Sequence, residues 1–103
     1  MEERLPLVTI MGPTGVGKTD LAISLFKTVS LEIINVDSVQ VYRGMDIGTG
    51  KPSKEILDKY PHNLLSFIDP WKSYSTALFI NDATRELDLC DKSKKVPLLV
   101  GGT

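Results

Sequence analysis

A glycine-rich loop near the start of the chain has the composition of a phosphate-binding site. It matches the pattern G-x-x-x-x-G-K-[ST] at every fixed position, in the order Gly12-Pro13-Thr14-Gly15-Val16-Gly17-Lys18-Thr19. Glycines let the backbone curl so that successive N–H groups point at phosphate oxygens, and a helix that follows turns its positive end toward the same anion. Lys18 supplies a charge for the terminal phosphate, and the Thr19 hydroxyl is placed to bind Mg²⁺. The loop predicts a polyphosphate site without saying which polyphosphate binds.

A second candidate is Asp37, which ends an apolar run over residues 31–36. In a parallel sheet, ligands lie at the carboxyl ends of the strands, so Asp37 should face the same crevice as the glycine-rich loop. A carboxylate at that place can hold a metal-bound water or accept a proton from a nucleophile. The alternative is a helix N-cap or a structural acid, and position alone leaves both interpretations open.

Predicted strands and helices alternate along the chain around these candidate residues. Apolar runs predict strands over residues 5–11, 31–36, 63–68 and 96–100. Helical spacing predicts helices over residues 18–30, over 53–59 with Ser53 as the N-cap, and from Ser75, with Cys90 on its apolar face; residues 44–52 form a loop. Strands that alternate with helices indicate an α/β fold, a parallel sheet like that of P-loop NTPases with helices on both faces.

The last predicted strand ends in Gly101-Gly102-Thr103, and no helix follows to cover it. We therefore expect a sheet truncated after its fourth strand, with residues 1–103 as the N-terminal part of a longer domain. We also expect Leu98 and Val100 to be exposed on an edge or face of that sheet.

Composition narrows the class of protein. The chain has 103 residues, 42% of them hydrophobic and 24% charged, with a net charge of -1. This is the balance of an ordinary globular domain, without the basic excess typical of proteins that bind nucleic acid or anionic membranes. A single cysteine, Cys90, allows no internal disulfide, and no apolar run approaches the roughly 20 residues of a membrane span. These features predict a cytoplasmic protein that does not associate with membranes.

Several segments, in this order along nearly the whole chain, resemble the tRNA dimethylallyltransferases, the bacterial tRNA isopentenyltransferases. They are the glycine-rich loop, the run Asp37-Ser38-Val39-Gln40-Val41-Tyr42-Arg43-Gly44-Met45-Asp46-Ile47-Gly48-Thr49, then Lys51-Pro52, Asp69-Pro70, Tyr74-Ser75, and Pro97-Leu98-Leu99-Val100-Gly101-Gly102-Thr103. The run that starts at Asp37 is far more specific than the loop. Gly15 stands where the family often has Ala, and Asn63 stands where it often has a second His.

The resemblance implies that the loop holds the diphosphate of dimethylallyl diphosphate together with Mg²⁺, and that no nucleotide is hydrolysed. The dimethylallyl group would move to the N6 amine of the adenosine just 3′ of the anticodon, position 37 of tRNA. By the same resemblance the catalytic residues are Asp37, Lys18 and Thr19: Asp37 takes the proton of the amine, residues 12–19 bind the donor, and Thr19 holds the metal. The tRNA would be contacted by Asp37, Ser38, Val39, Gln40 and Thr103, and the enzyme would be a monomer.

Three other functions stay open: an adenylate isopentenyltransferase that acts on free AMP, ADP or ATP, a small-molecule kinase or NTPase, and a nucleotide-binding module without catalysis. The long run after Asp37 argues against a kinase, which has no need of it.

Individual side chains outside these motifs have plainer expected roles. We expect His62 to be a surface hydrogen-bonding residue in a turn, Trp71 to pack over the sheet edge, and Cys90 to be a small core residue. Lys92, Lys94 and Lys95 are expected in a solvated turn. Arg43 and Lys51 are the better candidates for contacts with RNA phosphates.

Overall fold

The alternating strands and helices of the sequence are present in the computed structural model, which describes residues 6–12, 17–37, 40–44 and 51–101. The elements are β1 (Val8–Met11), α1 (Lys18–Thr28), β2 (Leu31–Asn35), α2 (Lys54–Lys59), β3 (His62–Asn63), α3 (Thr76–Ser93) and β4 (Val96–Gly101). The α/β prediction is confirmed. No helix in this described part of the chain is long and apolar enough to cross a membrane.

Serine side chains start two of the helices. The Ser53 hydroxyl accepts a hydrogen bond from the backbone N–H of Ile56 at the start of α2, as predicted. At the start of α3, the Ser75 hydroxyl accepts one from Leu78 in the same way. Such caps satisfy backbone donors that have no partner inside the helix, so they determine where each helix begins.

All four strands are parallel, in the order β1-β4-β2-β3. Because β4 pairs with both β1 and β2, Leu98 lies beside Val8 on one side and Ile33 on the other. At the carboxyl edge, Met11 pairs with Gly101 and Asn35 pairs with Val100. The ends of β1, β4 and β2 therefore lie side by side at one edge.

Helices pack on both faces of the sheet, as predicted. The buried residues on the α1 side are Ala22, Leu31, Ile33 and Leu98, and those on the α3 side are Ile34, Leu64 and Cys90. Alternate residues of β2 point to opposite faces, so neighbours such as Ile33 and Ile34 belong to different clusters. Cys90 is 2% exposed, which confirms its predicted place in the core.

The prediction that Leu98 and Val100 are exposed is wrong. Leu98 is fully buried and Val100 is half-buried. The connection through α3 returns the chain to the middle of the sheet instead of adding β4 next to β3. Strand order, which apolar runs do not specify, decides this burial.

The predicted strand over residues 63–68 is also wrong beyond its first residue. Only His62–Asn63 pairs with β2, and Leu64 and Ser66 have φ angles of 61° and 53°. These left-handed conformations turn the chain out of the sheet. Residues 66–68 then bond to residues 40–43 instead, through an isolated bridge between Tyr42 and Ile68.

Candidate active site at the carboxyl edge of the sheet

A cavity of about 160 Å³ opens at the carboxyl edge of the sheet. Its described lining comes from the first turn of α1, the ends of β2 and β4, and β3. The predicted site residues that it brings together are Gly17, Lys18, Thr19, Asp37 and Gln40. The glycine-rich loop and the acid after β2 thus share one cavity, as the rule for parallel sheets predicts.

The Lys18 side chain joins the ends of two strands. Its ammonium donates to the carbonyl oxygen of Gly12, after β1, and at 2.8 Å to that of Gly101, the last residue of β4. An ammonium has three N–H donors, and two of them are directed at these carbonyls. Gly12 also donates its own N–H to Gly101 at 3.3 Å. Lys18 is therefore held over the edge where β1 and β4 end.

The first turn of α1 presents backbone N–H groups to the cavity. Gly17, the N-cap, has a φ of 82°, a conformation that side chains with a Cβ rarely adopt, and it forms no side-chain cap. The N–H groups of the first helical turn have no partner inside a helix, and the helix dipole makes this end positive. With Lys18 beside them, these groups suit an anion.

The backbone of Asp37 is held by the side chain of Asn35. The Asp37 N–H donates to Asn35 Oδ1 at 3.1 Å, and the Asp37 carbonyl accepts from Asn35 Nδ2 at 3.1 Å. The Asp37 carboxylate in turn accepts from the N–H of Gln40 at 3.3 Å. Sequence reasoning missed Asn35. The signal for it was an amide side chain inside an apolar run, two residues before the candidate acid.

Residues 40–43, just after Asp37, are paired with the turn that follows β3. Ser66 donates its N–H to Gln40 O at 2.9 Å, and Arg43 donates its own to Ile68 O at 2.8 Å. Lys51 donates to the Tyr42 carbonyl and, at 2.9 Å, to the Ser66 hydroxyl. The ammonium of Lys51 thus holds this pairing together.

Arg43 differs from Lys51 in facing outward. Its side chain is 59% exposed and forms an ion pair with Asp69 at 3.1 Å. Of the two residues expected to contact RNA phosphates, Arg43 has the more accessible charge, and the contact itself stays a prediction.

Two single-residue expectations are wrong. His62 is not in a surface turn: it lies half-buried in β3 and lines the cavity. Its Nδ1 is 2.7 Å from Tyr60 O, and burial lowers the pKa of the imidazole. Trp71 is 79% exposed and does not pack over the sheet edge. Lys92 is exposed but lies in the last turn of α3, Lys94 is exposed in the turn before β4, and Lys95 donates to Glu32 at 2.9 Å.

Part of the predicted site lies outside the described residues. This applies to Pro13, Thr14, Gly15 and Val16 of the loop, to Ser38 and Val39 after Asp37, and to Thr103. Their predicted contacts with donor and tRNA stay predictions.

Comparison with known proteins agrees with the geometry. The family model for IPP transferase matches residues 40–103, and that for isopentenyl transferase matches residues 5–65. A tRNA delta(2)-isopentenylpyrophosphate transferase from Staphylococcus epidermidis is 41% identical, with a TM-score of 0.87 over 94% of this chain and 32% of its own. The full-length tRNA isopentenylpyrophosphate transferase from Bacillus halodurans is 46% identical, with a TM-score of 0.88 over 98% of this chain and 33% of its own.

A eukaryotic dimethylallyltransferase acting on tRNA is more distant, at 32% identity and a TM-score of 0.85 over 92% of this chain and 24% of its own. The chain spans about a third of the length of the two bacterial relatives. The family models cover both the glycine-rich loop and the run after Asp37. The chain belongs to the IPP transferase family.

Proposed function

We propose that this chain is part of an enzyme that transfers the dimethylallyl group of dimethylallyl diphosphate to the N6 amine of adenosine 37 in tRNA. The observation that carries the proposal is the single cavity lined by Lys18, Thr19 and Asp37 in a chain of the IPP transferase family. An anion-binding group and a proton acceptor are the two groups that this substitution requires, and candidates for both line this cavity.

The donor side has to stabilise a leaving diphosphate. As the bond between the allylic carbon and the diphosphate oxygen breaks, negative charge grows on that oxygen. Lys18 and the first turn of α1 line this cavity, so the Lys18 ammonium and the N–H groups of that turn are the proposed donors that stabilise the charge as it develops. Residues 12–19 are thus the proposed donor site.

The acceptor side has to remove a proton. The N6 amine forms the new bond to the allylic carbon and loses one of its hydrogens as a proton. Asp37 lines the same cavity as Lys18, and its carboxylate is the proposed base that accepts this proton. The bond made is N–C, the bond broken is C–O, and the products are the prenylated adenosine, diphosphate and a protonated Asp37.

Mg²⁺ is the metal that fits the available donor atoms. The Thr19 hydroxyl and the carboxylates of Asp20 and Asp37 line the cavity, and Mg²⁺ prefers such hard oxygen ligands. Across the described residues, no group of three His, Cys, Asp or Glu side chains could hold a metal. We therefore propose that Thr19 holds the ion jointly with diphosphate oxygens, where it would neutralise part of the diphosphate charge.

The tRNA side of the proposal rests on the relatives and on general chemistry. A base must leave its stack before an enclosed pocket can reach its amine, and Asp37, Ser38, Val39, Gln40 and Thr103 are the proposed contacts to that flipped region. With a net charge of -1, this chain has no excess of basic side chains to neutralise RNA phosphates. The bacterial relatives are about three times as long, which supports the proposal that residues 1–103 are the N-terminal part of a P-loop-type transferase. We propose further that this enzyme is monomeric and cytoplasmic.

One experiment separates this proposal from its alternatives. Radiolabelled dimethylallyl diphosphate is offered to the full-length protein with tRNA, AMP or ATP, with and without Mg²⁺. We expect Mg²⁺-dependent label in tRNA alone. Label in a free nucleotide would instead identify an adenylate isopentenyltransferase, and phosphate released from ATP without label transfer would identify a kinase or NTPase. Unmodified tRNA whose position 37 is not adenosine is the matched control, and it should remain unlabelled.

A further inference from the structure

We infer that Asn35 is a positioning residue for the reaction, because it fixes the backbone that carries Asp37. The inference rests on the proposed function, in which Asp37 accepts the proton of the amine. Asn35 takes part in none of the proposed chemical steps. Its positioning role is inferred from the place where the strand pairing of β2 ends, just before Asp37.

Asp37 is the first residue at the end of β2 that strand pairing no longer holds. The register between β2 and β4 ends with Asn35 beside Val100, and Val36 adds one more bond to Val100 O at 2.9 Å. At Asp37 both backbone groups are bonded to the Asn35 side chain instead, at 3.1 Å each. The amide thus replaces the missing strand partner at the residue that bears the proposed base.

The same amide ties Asp37 to the chain segment that follows β3. Asn35 Nδ2 also donates to Leu64 O at 3.0 Å, just after β3. Leu64 is buried on the α3 side, and its φ of 61° directs the chain out of the sheet. Through Asn35, the Asp37 peptide is therefore anchored to a packed core residue, Leu64, and not only to its own neighbours in sequence.

Both polar atoms of the Asn35 side-chain amide are hydrogen-bonded. The residue is 2% exposed, both N–H groups of its amide are used on Asp37 and Leu64, and its oxygen accepts from Asp37. A buried amide that is completely bonded keeps one orientation, because leaving any of its polar atoms unpaired is costly. It therefore holds Asp37 in one place.

The test is a set of variants of the full-length protein, Asn35→Ala and Asn35→Ser, in the label-transfer assay with tRNA. Small misplacement of a reacting group commonly costs up to about 100-fold in rate. We expect Asn35→Ala to lower kcat about 10- to 100-fold while KM for dimethylallyl diphosphate changes less than about threefold. Asn35→Ser keeps an oxygen that can accept from the Asp37 N–H, as serine does in such turns, so it should recover part of the loss.

Asn63→Ala is the matched control for stability. Asn63, in β3, is also an amide that crosses to β2, but its side chain donates to Glu32 and Glu86 instead of to Asp37. We expect this variant to keep the wild-type kcat. Rates are measured per donor-binding site, well below each variant's melting temperature, so that unfolded protein does not lower them.

A double-mutant cycle with Asp37→Asn separates positioning from general damage to the fold. If Asn35 acts through Asp37, then Asn35→Ala should have little further effect on the residual rate of Asp37→Asn. Equal losses in both backgrounds, or an unchanged kcat in Asn35→Ala, would overturn the inference. Wild-type protein that transfers no label would instead overturn the proposed function. If Asn35→Ala does not fold, Asn35→Ser in the same cycle decides in its place.

Discussion

The two sides of the cavity are held by different kinds of hydrogen bond. On the acceptor side, a neutral and buried amide, Asn35, binds the backbone of Asp37 and Leu64. On the donor side, the charged ammonium of Lys18 binds the carbonyls of Gly12 and Gly101. Both side chains tie the end of a strand to a neighbouring segment. A phosphate oxygen could replace the carbonyl partners of Lys18, but it could not readily replace the partners of Asn35.

A diphosphate oxygen competes with a carbonyl for an ammonium, because it carries negative charge that attracts the ammonium more strongly than a neutral carbonyl does. It offers no such advantage to an amide that is already bonded at every atom. The donor side is therefore suited to exchange its partners when the donor binds, whereas the acceptor side is suited to stay fixed. One edge of the sheet can therefore combine an exchangeable charge, Lys18, with a fixed carboxylate, Asp37, the proposed base.

Replacing Asp37, on the acceptor side of the cavity, is expected to lower turnover more than any other change. Asp37→Asn keeps the shape of the side chain and loses the charge that accepts the proton, so turnover should fall by a factor of about 10² to 10⁴. Label transfer at saturating substrate concentrations measures this turnover. Donor and tRNA binding, measured directly, should persist. Asp58→Asn, on the exposed face of α2, is the control. Near-normal turnover in Asp37→Asn would remove this residue from the mechanism.

The second effect is on the donor side. Hydrogen bonds to charged groups contribute roughly 1.5–3 kcal/mol, so Lys18→Ala should weaken dimethylallyl diphosphate binding by about 10- to 100-fold. Titration calorimetry with Mg²⁺ present measures this affinity. Lys27→Ala, at the exposed end of the same helix, should bind like the wild type. If the Lys18 variant kept full affinity, the loop would not be the donor site.

A third effect concerns the strand end on which Lys18 rests. A Cβ at Gly101 would overlap Val36 Cγ2 and lie 3.3 Å from the Val36 carbonyl carbon and oxygen. Overpacking of this kind costs about 1–3 kcal/mol, so Gly101→Ala should lower the free energy of unfolding in urea by that amount. Adding Val36→Ala removes the side-chain overlap but not the backbone contact, so it should restore part of the loss. Full stability of Gly101→Ala would show that this edge is not rigid.

The smallest effect is a pH dependence on the acceptor side. Burial lowers the pKa of His62 in the folded protein below its ordinary value near 6.5, so the unfolded chain binds more protons in acid. Stability from this residue is therefore present above about pH 6.5 and is lost as the pH falls through 6.5 toward the folded pKa. As the pH falls from 7 to 5, the melting temperature of the wild type should fall relative to that of His62→Gln. Parallel curves would mean that His62 stays accessible to protons in the fold.

Much of this architecture could be predicted from the sequence because its signals are local. Apolar spacing located α1, β2, α3 and β4, and serine hydroxyls located the starts of α2 and α3. The rule that ligands lie at the carboxyl ends of parallel strands placed Lys18 and Asp37 in one cavity.

The errors arose where the outcome depends on distant parts of the chain. Leu64 and Ser66 adopt positive φ angles that neither side chain favours, because residues 40–43 offer their backbone as a partner. The burial of Leu98 depends on strand order, and the role of Asn35 depends on the position of Leu64. None of these contacts leaves a periodic trace in the sequence.

The central place of β4 has a consequence for the order in which the site assembles during synthesis. Among the described residues β1 pairs with β4 alone, so Val8 cannot form its strand pairing until Leu98 has been synthesised. The hydrogen bond from Lys18 to Gly101 likewise spans 83 positions of sequence. Contacts this distant in sequence form late, because a long loop must close before they contribute. Pulse-labelled hydrogen exchange should therefore protect the amides of β1 no earlier than those of β4. On the ribosome, the acceptor half of the cavity can begin to form around β2, while the donor half waits until residues 96–101 have emerged.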